Sequence, residues 1–168
     1  METFLTIFSG TMVFVIGQII VKLVIDPIQQ FKAVIADISH ALIEYAHIYS
    51  NPGLTGTERE AEVSGKFRQL SSRRNAAAYL IPFYSSISKW ILLPSRDNVD
   101  KATGHLIALS NGFTPTFPNI LLLNMFRAQH ICDELGIYVS TKERLSKEWE
   151  VDMIASWRQQ PGDPKQNT

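Results

Sequence analysis

What the chain lacks narrows its chemistry first. It has a single cysteine, Cys132, so no intramolecular disulfide can form. With no CxxC pair and no Cys/His partner at zinc spacing, a small buried apolar residue is the expected role for Cys132. Net charge is absent too. Sixteen Lys and Arg face sixteen Asp and Glu, so the global balance names no acidic or basic partner. Neither Gly-x-Ser-x-Gly nor HExxH occurs. Gly65-Lys66, in VSGKFRQ, lacks the upstream glycine and the preceding strand of a phosphate loop. The serine pairs Ser71-Ser72 and Ser85-Ser86 have no identifiable base beside them. An enzyme is therefore not expected, and neither is a cofactor or a metal site. Internal repeats are missing, and only Ile137-Tyr138-Val139 offers a short run that could pair as a strand. At 168 residues the chain holds one domain and an anchor, not two full domains.

What is present begins with the apolar run Phe4 to Ile25, FLTIFSGTMVFVIGQIIVKLVI. As a helix, its residues span roughly 33 Å at about 1.5 Å each, which matches a hydrocarbon core of about 30 Å. Its one charge, Lys22, lies a turn from the end, where the stem can snorkel to the headgroups. Met1-Glu2-Thr3 has no basic n-region and Asp26-Pro27 has no small-residue cleavage site, so a retained anchor over residues 1–25 is expected. The tail before the run carries no Lys or Arg, whereas Lys22, Lys32, Arg59 and Lys66 follow its start. Positive-inside bias then predicts an outside N-terminus and a cytosolic domain over residues 26–160.

The anchor has faces. At roughly 100° per residue, Thr3, Thr6, Gly10 and Gly17 form a stripe of small residues suited to close helix packing. Thr11, Gln18 and Lys22 form a polar stripe about 120° away, and Phe8, Met12, Val15, Ile16, Ile19 and Leu23 fill a bulky face suited to lipid. A polar side chain such as Gln18 at this depth normally faces protein or water. Two readings stay open. Either several copies assemble with Thr11, Gln18 and Lys22 facing a central axis as pore-lining residues, or an ordinary anchor tolerates them.

The rest of the chain reads as all-α. Asp26 as N-cap and Pro27 at N1 predict a helix running to about Ser50 and stopping at Asn51-Pro52-Gly53. Its apolar positions include Phe31, Val34, Ile38, Leu42, Tyr45 and Ile48. Thr57-Glu58-Arg59-Glu60 reads as a capping box opening a helix that buries Val63, Phe67 and Leu70. Residues 76–94 are apolar but broken by Pro82, serines and Lys89. An interfacial or core segment fits them better than a second span, since Tyr79, Tyr84 and Trp90 are amphipathic. Ser95 caps a helix to about Asn111-Gly112. Pro115 and Pro118 bracket a turn, and Pro118 opens a helix that buries Leu121, Leu122, Met125, Phe126 and Leu135 and ends at Gly136. Ser140 with Glu143 suggests a further capping box. The last helix carries Leu145, Trp149, Met153 and Trp157, and Pro161 to Thr168 reads as a disordered tail.

Between Val63 and Lys101 there are seven basic residues and two acidic ones. Lys66, Arg68, Arg73 and Arg74 are the strongest ligand signal, able to meet anionic headgroups or a phosphorylated ligand, with Phe67 and Tyr79 near enough to stack on bases. A solvated helix face remains the alternative. His40, Glu44 and His47 share a helical face, but a polar solvated surface explains them without a metal; His105 and His130 are isolated.

The stretch Ser9 to Gly53, with Ser9-Gly10, Gly17-Gln18, Lys22, Asp26-Pro27, His40-Ala41-Leu42, Tyr45-Ala46 and Asn51-Pro52-Gly53, resembles small single-pass bacterial membrane effectors of anti-phage defence systems, of the Hailong type. The likeness is one of build. It implies a homo-oligomeric ion channel of the inner membrane, with a tetramer as the expected assembly, held shut by an oligonucleotide from a partner nucleotidyltransferase. The competing expectation is a non-conducting tethered scaffold that binds another protein.

Overall fold

The computed structural model describes residues 1–113 and 119–158, with side chains through Ala155 in the last helix. Every regular element among them is helical, and Ile137 to Val139 forms no strand. The expected turn at Pro115 and Pro118, the packing of Trp157 and the tail from Pro161 lie outside the described residues.

Helix α1 (Glu2–Ile20) passes through a π-turn (Val21–Ile25) directly into α2 (Asp26–Glu44), so Glu2 to Glu44 is one 43-residue rod. It is the one described helix long and apolar enough to cross a membrane. This corrects the expected fresh start at Asp26, which sits at φ −59°, ψ −47° inside the helix rather than capping it. Proline explains the difference. Pro27 has no N–H, and its ring crowds the carbonyl four residues back, at Leu23. Widening the preceding turn relieves the clash, and the Asp26 N–H bonds to the Val21 carbonyl, five residues back. Lys22 Nζ donates to Asp26 Oδ2 at 2.9 Å across the same turn.

Past the π-turn the helix acquires an inside. Phe31, Val34, Ile38, Ala41 and Leu42 are buried, as their spacing predicts. The rod breaks at Tyr45 (φ −98°, ψ 12°), one turn earlier than expected, and a single turn, α3 (Ala46–Tyr49), follows. The Tyr49 hydroxyl donates to the Leu42 carbonyl at 3.0 Å across this break. Helix α4 (Thr57–Tyr79) then returns antiparallel to α2. Phe67 packs edge-on against Tyr49 and Tyr45, and Arg73 pairs with Asp37. The capping box does not form: Gly56, at φ 92°, is the N-cap and Thr57 the first helical residue. The Glu60 carboxylate instead closes the loop before the helix, accepting from the Gly53 N–H at 2.7 Å and from the Thr55 hydroxyl at 3.1 Å.

Short α5 (Tyr84–Trp90) leads to α6 (Arg96–Ser110), whose N-cap Ser95 accepts from the Asn98 N–H at 3.1 Å, as expected. Helix α7 (Ile120–Leu135) ends where Gly136 takes the left-handed conformation, φ 69°. Its buried face is rotated from the expected one. Phe126 and Leu135 are inside, Leu122 and Met125 are half-buried, and Leu121 is exposed. A polar residue sets this rotation. Fully buried Asn124 donates to the Tyr49 and Gly112 carbonyls at 3.0 and 2.8 Å and accepts from Arg127 at 3.1 Å. Gly112 must be glycine, since a Cβ there would stand 2.1 Å from Asn124 Oδ1. Ser140 and Glu143 close a turn rather than open a helix. The last helix, α8 (Lys147–Arg158), begins later, with the Ser146 hydroxyl accepting from the Trp149 N–H at 3.3 Å. Met153 is buried on it and Trp149 is exposed. One core joins α2 through α7 around Phe31, Ile38, Phe67, Leu70, Leu106 and Ile131.

Candidate functional site

Nothing among the described residues covers α1, where every residue is exposed. Its hydroxyls are satisfied locally: Thr6 donates to the Glu2 carbonyl, Thr11 to Ile7 and Ser9 to Thr6, each at 3.0 Å. Lys22 is paired with Asp26. Gln18 differs, because no hydrogen bond engages its side-chain amide among the described residues. A Cβ on Gly10 or Gly17 would meet nothing within 4 Å, so the stripe of Thr6, Gly10 and Gly17 stays open to a neighbour.

The four cations of α4 do not share a surface. Arg68 donates to Asn111 Oδ1 at 2.7 Å, at the end of α6, and Arg73 pairs with Asp37 of α2 at 3.2 Å. Lys66 alone is exposed with no partner among the described residues. Arg74 is fully buried, and none of its three guanidinium nitrogens has a hydrogen-bond partner. Burial lowers its pKa to about 10, against an opposing pull from Asp100 and Tyr84. The sequence carried the signal for this placement: Val63, Phe67, Leu70, Arg74 and Ala77 repeat at heptad spacing, which puts Arg74 on the buried stripe.

Around α5 the chain does the opposite and turns large apolar side chains outward. Leu80 is 58% exposed, Phe83 84%, Trp90 88% and Leu92 95%. Phe83 and Leu92, which flank α5, hold left-handed backbone at φ 50° and 54°, a conformation costing a non-glycine residue roughly 1–2 kcal/mol. The inner side of the element is fixed. Tyr84 packs edge-on against Phe31 at 5.8 Å and donates its hydroxyl to the Pro94 carbonyl at 2.9 Å. The Arg96 guanidinium lies over the Tyr79 ring at 4.2 Å. Of the three expected amphipathic aromatics, Tyr79 and Trp90 are exposed and Tyr84 is buried.

The histidines fall into two groups. His40 Nδ1 lies 3.4 Å from Glu44 on the outer side of α2. His105 and His130, distant in sequence, stack at 5.0 Å, and His130 Nε2 contacts Glu150 at 2.7 Å, joining α6, α7 and α8. Burial, followed by repulsion from His130, holds the His105 pKa below its usual value. Among the described residues no three His, Cys, Asp or Glu are grouped to hold a metal. A groove of about 390 Å³ runs between α2, α7 and the segment after Gly136, lined by Leu42, Ile43, Ala46, Met125 and Cys132. Burial pushes the Cys132 thiol up to about 11, far from a reactive thiolate. Comparison with known protein families, curated proteins and solved structures finds no match for this chain.

Proposed function

We propose that this chain is a homo-oligomeric membrane effector of the bacterial inner membrane, acting in anti-phage defence. Copies of α1 assemble side by side in the bilayer, with Thr6, Gly10 and Gly17 allowing close approach. The polar stripe of Thr11, Gln18 and Lys22 faces the assembly axis and forms an ion path, which the cytosolic helical domain opens and closes. The observation that carries this reading is Gln18: its amide has no partner among the described residues, on a helix that those residues leave uncovered. An amide left unpaired in hydrocarbon costs several kcal/mol, and the same residue of a second copy, at the same depth, satisfies it. The gating ligand is an anion, a nucleotide or an oligonucleotide made by a nucleotidyltransferase partner. Lys66 is available to it directly, whereas Arg68 and Arg73 reach it only by leaving Asn111 and Asp37.

A second reading, the non-conducting tethered scaffold, is favoured by Thr11 and Lys22, since each is already satisfied by the Ile7 carbonyl and by Asp26. Ion flux from loaded vesicles separates the two. The parent chain is expected to release ions and to migrate as an oligomer in mild detergent. Gln18→Leu should lose the flux and weaken the oligomer while the soluble part stays folded. Silence of the parent chain with and without oligonucleotide leaves the scaffold in its place.

A further inference from the structure

The geometry points to a second membrane contact: the turn between α4 and α5, together with α5 itself, lies on the leaflet from which α1 emerges. Leu80, Phe83, Trp90 and Leu92 meet the headgroup layer, and Lys89 meets its anionic groups. This rests on α1 being a bilayer anchor.

Level is the first argument. Helix α4 climbs α2 toward α1, with Phe67 beside Tyr49, Arg73 beside Asp37 and Tyr84 beside Phe31. Tyr79 stands six residues beyond Arg73, about 9 Å at 1.5 Å per residue, level with Phe31, six residues before Asp37. Leu80 and Phe83 lie between Tyr79 and Tyr84, both level with Phe31, so they stand six residues, about 9 Å, past Ile25, where the apolar run ends. A headgroup belt extends roughly 5–7 Å past the hydrocarbon on each side, so Leu80 and Phe83 stand within a side chain's length of its outer edge.

Chemistry is the second argument. The exposed set combines Trp90 with aliphatic side chains and a lysine, the mixture that partitions into a bilayer interface. No Asp or Glu occurs between Glu62 and Asp97, so the segment carries only positive charge. The first acid after it, Asp97, is paired with Lys101 at 2.6 Å, and Asp100 follows on α6. Backbone geometry is the third. Left-handed residues on both sides of α5 hold Phe83 and Leu92 away from a core that Ile81, Tyr84 and Leu93 fill beside them. A bilayer surface covers such a patch without a partner protein, and continuity with α1 brings that surface to it.

The test uses the full chain in vesicles, with Trp149→Phe and Trp157→Phe leaving Trp90 as the reporter. Its emission should shift to the blue, lose most of its intensity to lipids brominated near the headgroup, and resist aqueous iodide several-fold better than a variant retaining only Trp149. In phosphatidylcholine mixed with phosphatidylglycerol the bromolipid quenching should exceed that in phosphatidylcholine alone, and Lys89→Glu should remove the difference. Red emission, as open to iodide as that of Trp149, overturns the contact. Protection from iodide without bromolipid quenching, fading as lipid is added in excess, assigns the patch to a second copy and also overturns it. Flotation with vesicles after alkaline carbonate reads the anchor separately. Loss of flotation removes the anchor and this contact together, whereas retained flotation with a water-exposed Trp90 removes the contact alone.

Discussion

Arg74 sits in the interior without one hydrogen bond to its guanidinium. A pKa of about 10 leaves it charged at neutral pH, so the fold carries an uncompensated cation beside Tyr84 and within the field of Asp100. Methionine has similar length and no charge to desolvate. Arg74→Met is expected to raise the stability of the helical domain by about 1–4 kcal/mol, read as a higher denaturant midpoint in detergent. A lower midpoint would mean that attraction to Asp100 exceeds the burial cost. Apart from Arg74, whose heptad position marked it as buried, the individual cations were the least legible part of the candidate site. Adjacency along the sequence groups Lys66, Arg68, Arg73 and Arg74, whereas helical rotation sends them to solvent, to α6, to α2 and to the core. Asn124 shows the same limit. A buried amide serving carbonyls 75 and 12 residues away is a tertiary fact, and the apolar pattern of its helix pointed to a neighbouring face instead.

Elements were legible where their signals are local. Ser95 caps α6 and Gly136 ends α7 because each depends on residues within a turn of itself, whereas the helix expected to reach Asn51-Pro52-Gly53 breaks at Tyr45 and only a single further turn reaches that stop. Asp26-Pro27 misled because a helix start and a tolerated proline look alike in sequence, and only the unbroken helix before it decides. That proline gives α1 and α2 their relative rotation. A five-residue π-turn lags an α-helix by roughly 90°, so the polar stripe of α1 faces a direction set by Pro27. Pro27→Ala restores the N–H and removes the ring clash. Spin-label distances between α1 and α6 should then shift by several ångströms, with domain stability changed by less than about 1 kcal/mol. Unchanged distances would show that the π-turn has another cause.

For the whole molecule, the division between an uncovered apolar helix and a packed helical body is the dominant feature, and both halves were readable from hydropathy and periodicity. Orientation rests on Lys22, Lys32, Arg59 and Lys66, all on one side of the apolar centre. A cytosolic reporter fused after Thr168 should therefore be active and a periplasmic one silent, and the reverse pattern would place the body outside. The unbroken rod from Glu2 to Glu44 has a mechanical consequence. A helix whose apolar run mismatches the surrounding hydrocarbon tilts. The 19 residues of α2 form an arm of about 28 Å, so a tilt of about 10° swings Glu44 sideways by about 5 Å. With α1 in a bilayer, as proposed, thickness would be converted into an angle of the helical body, and lipid composition would act on the chain as a lever.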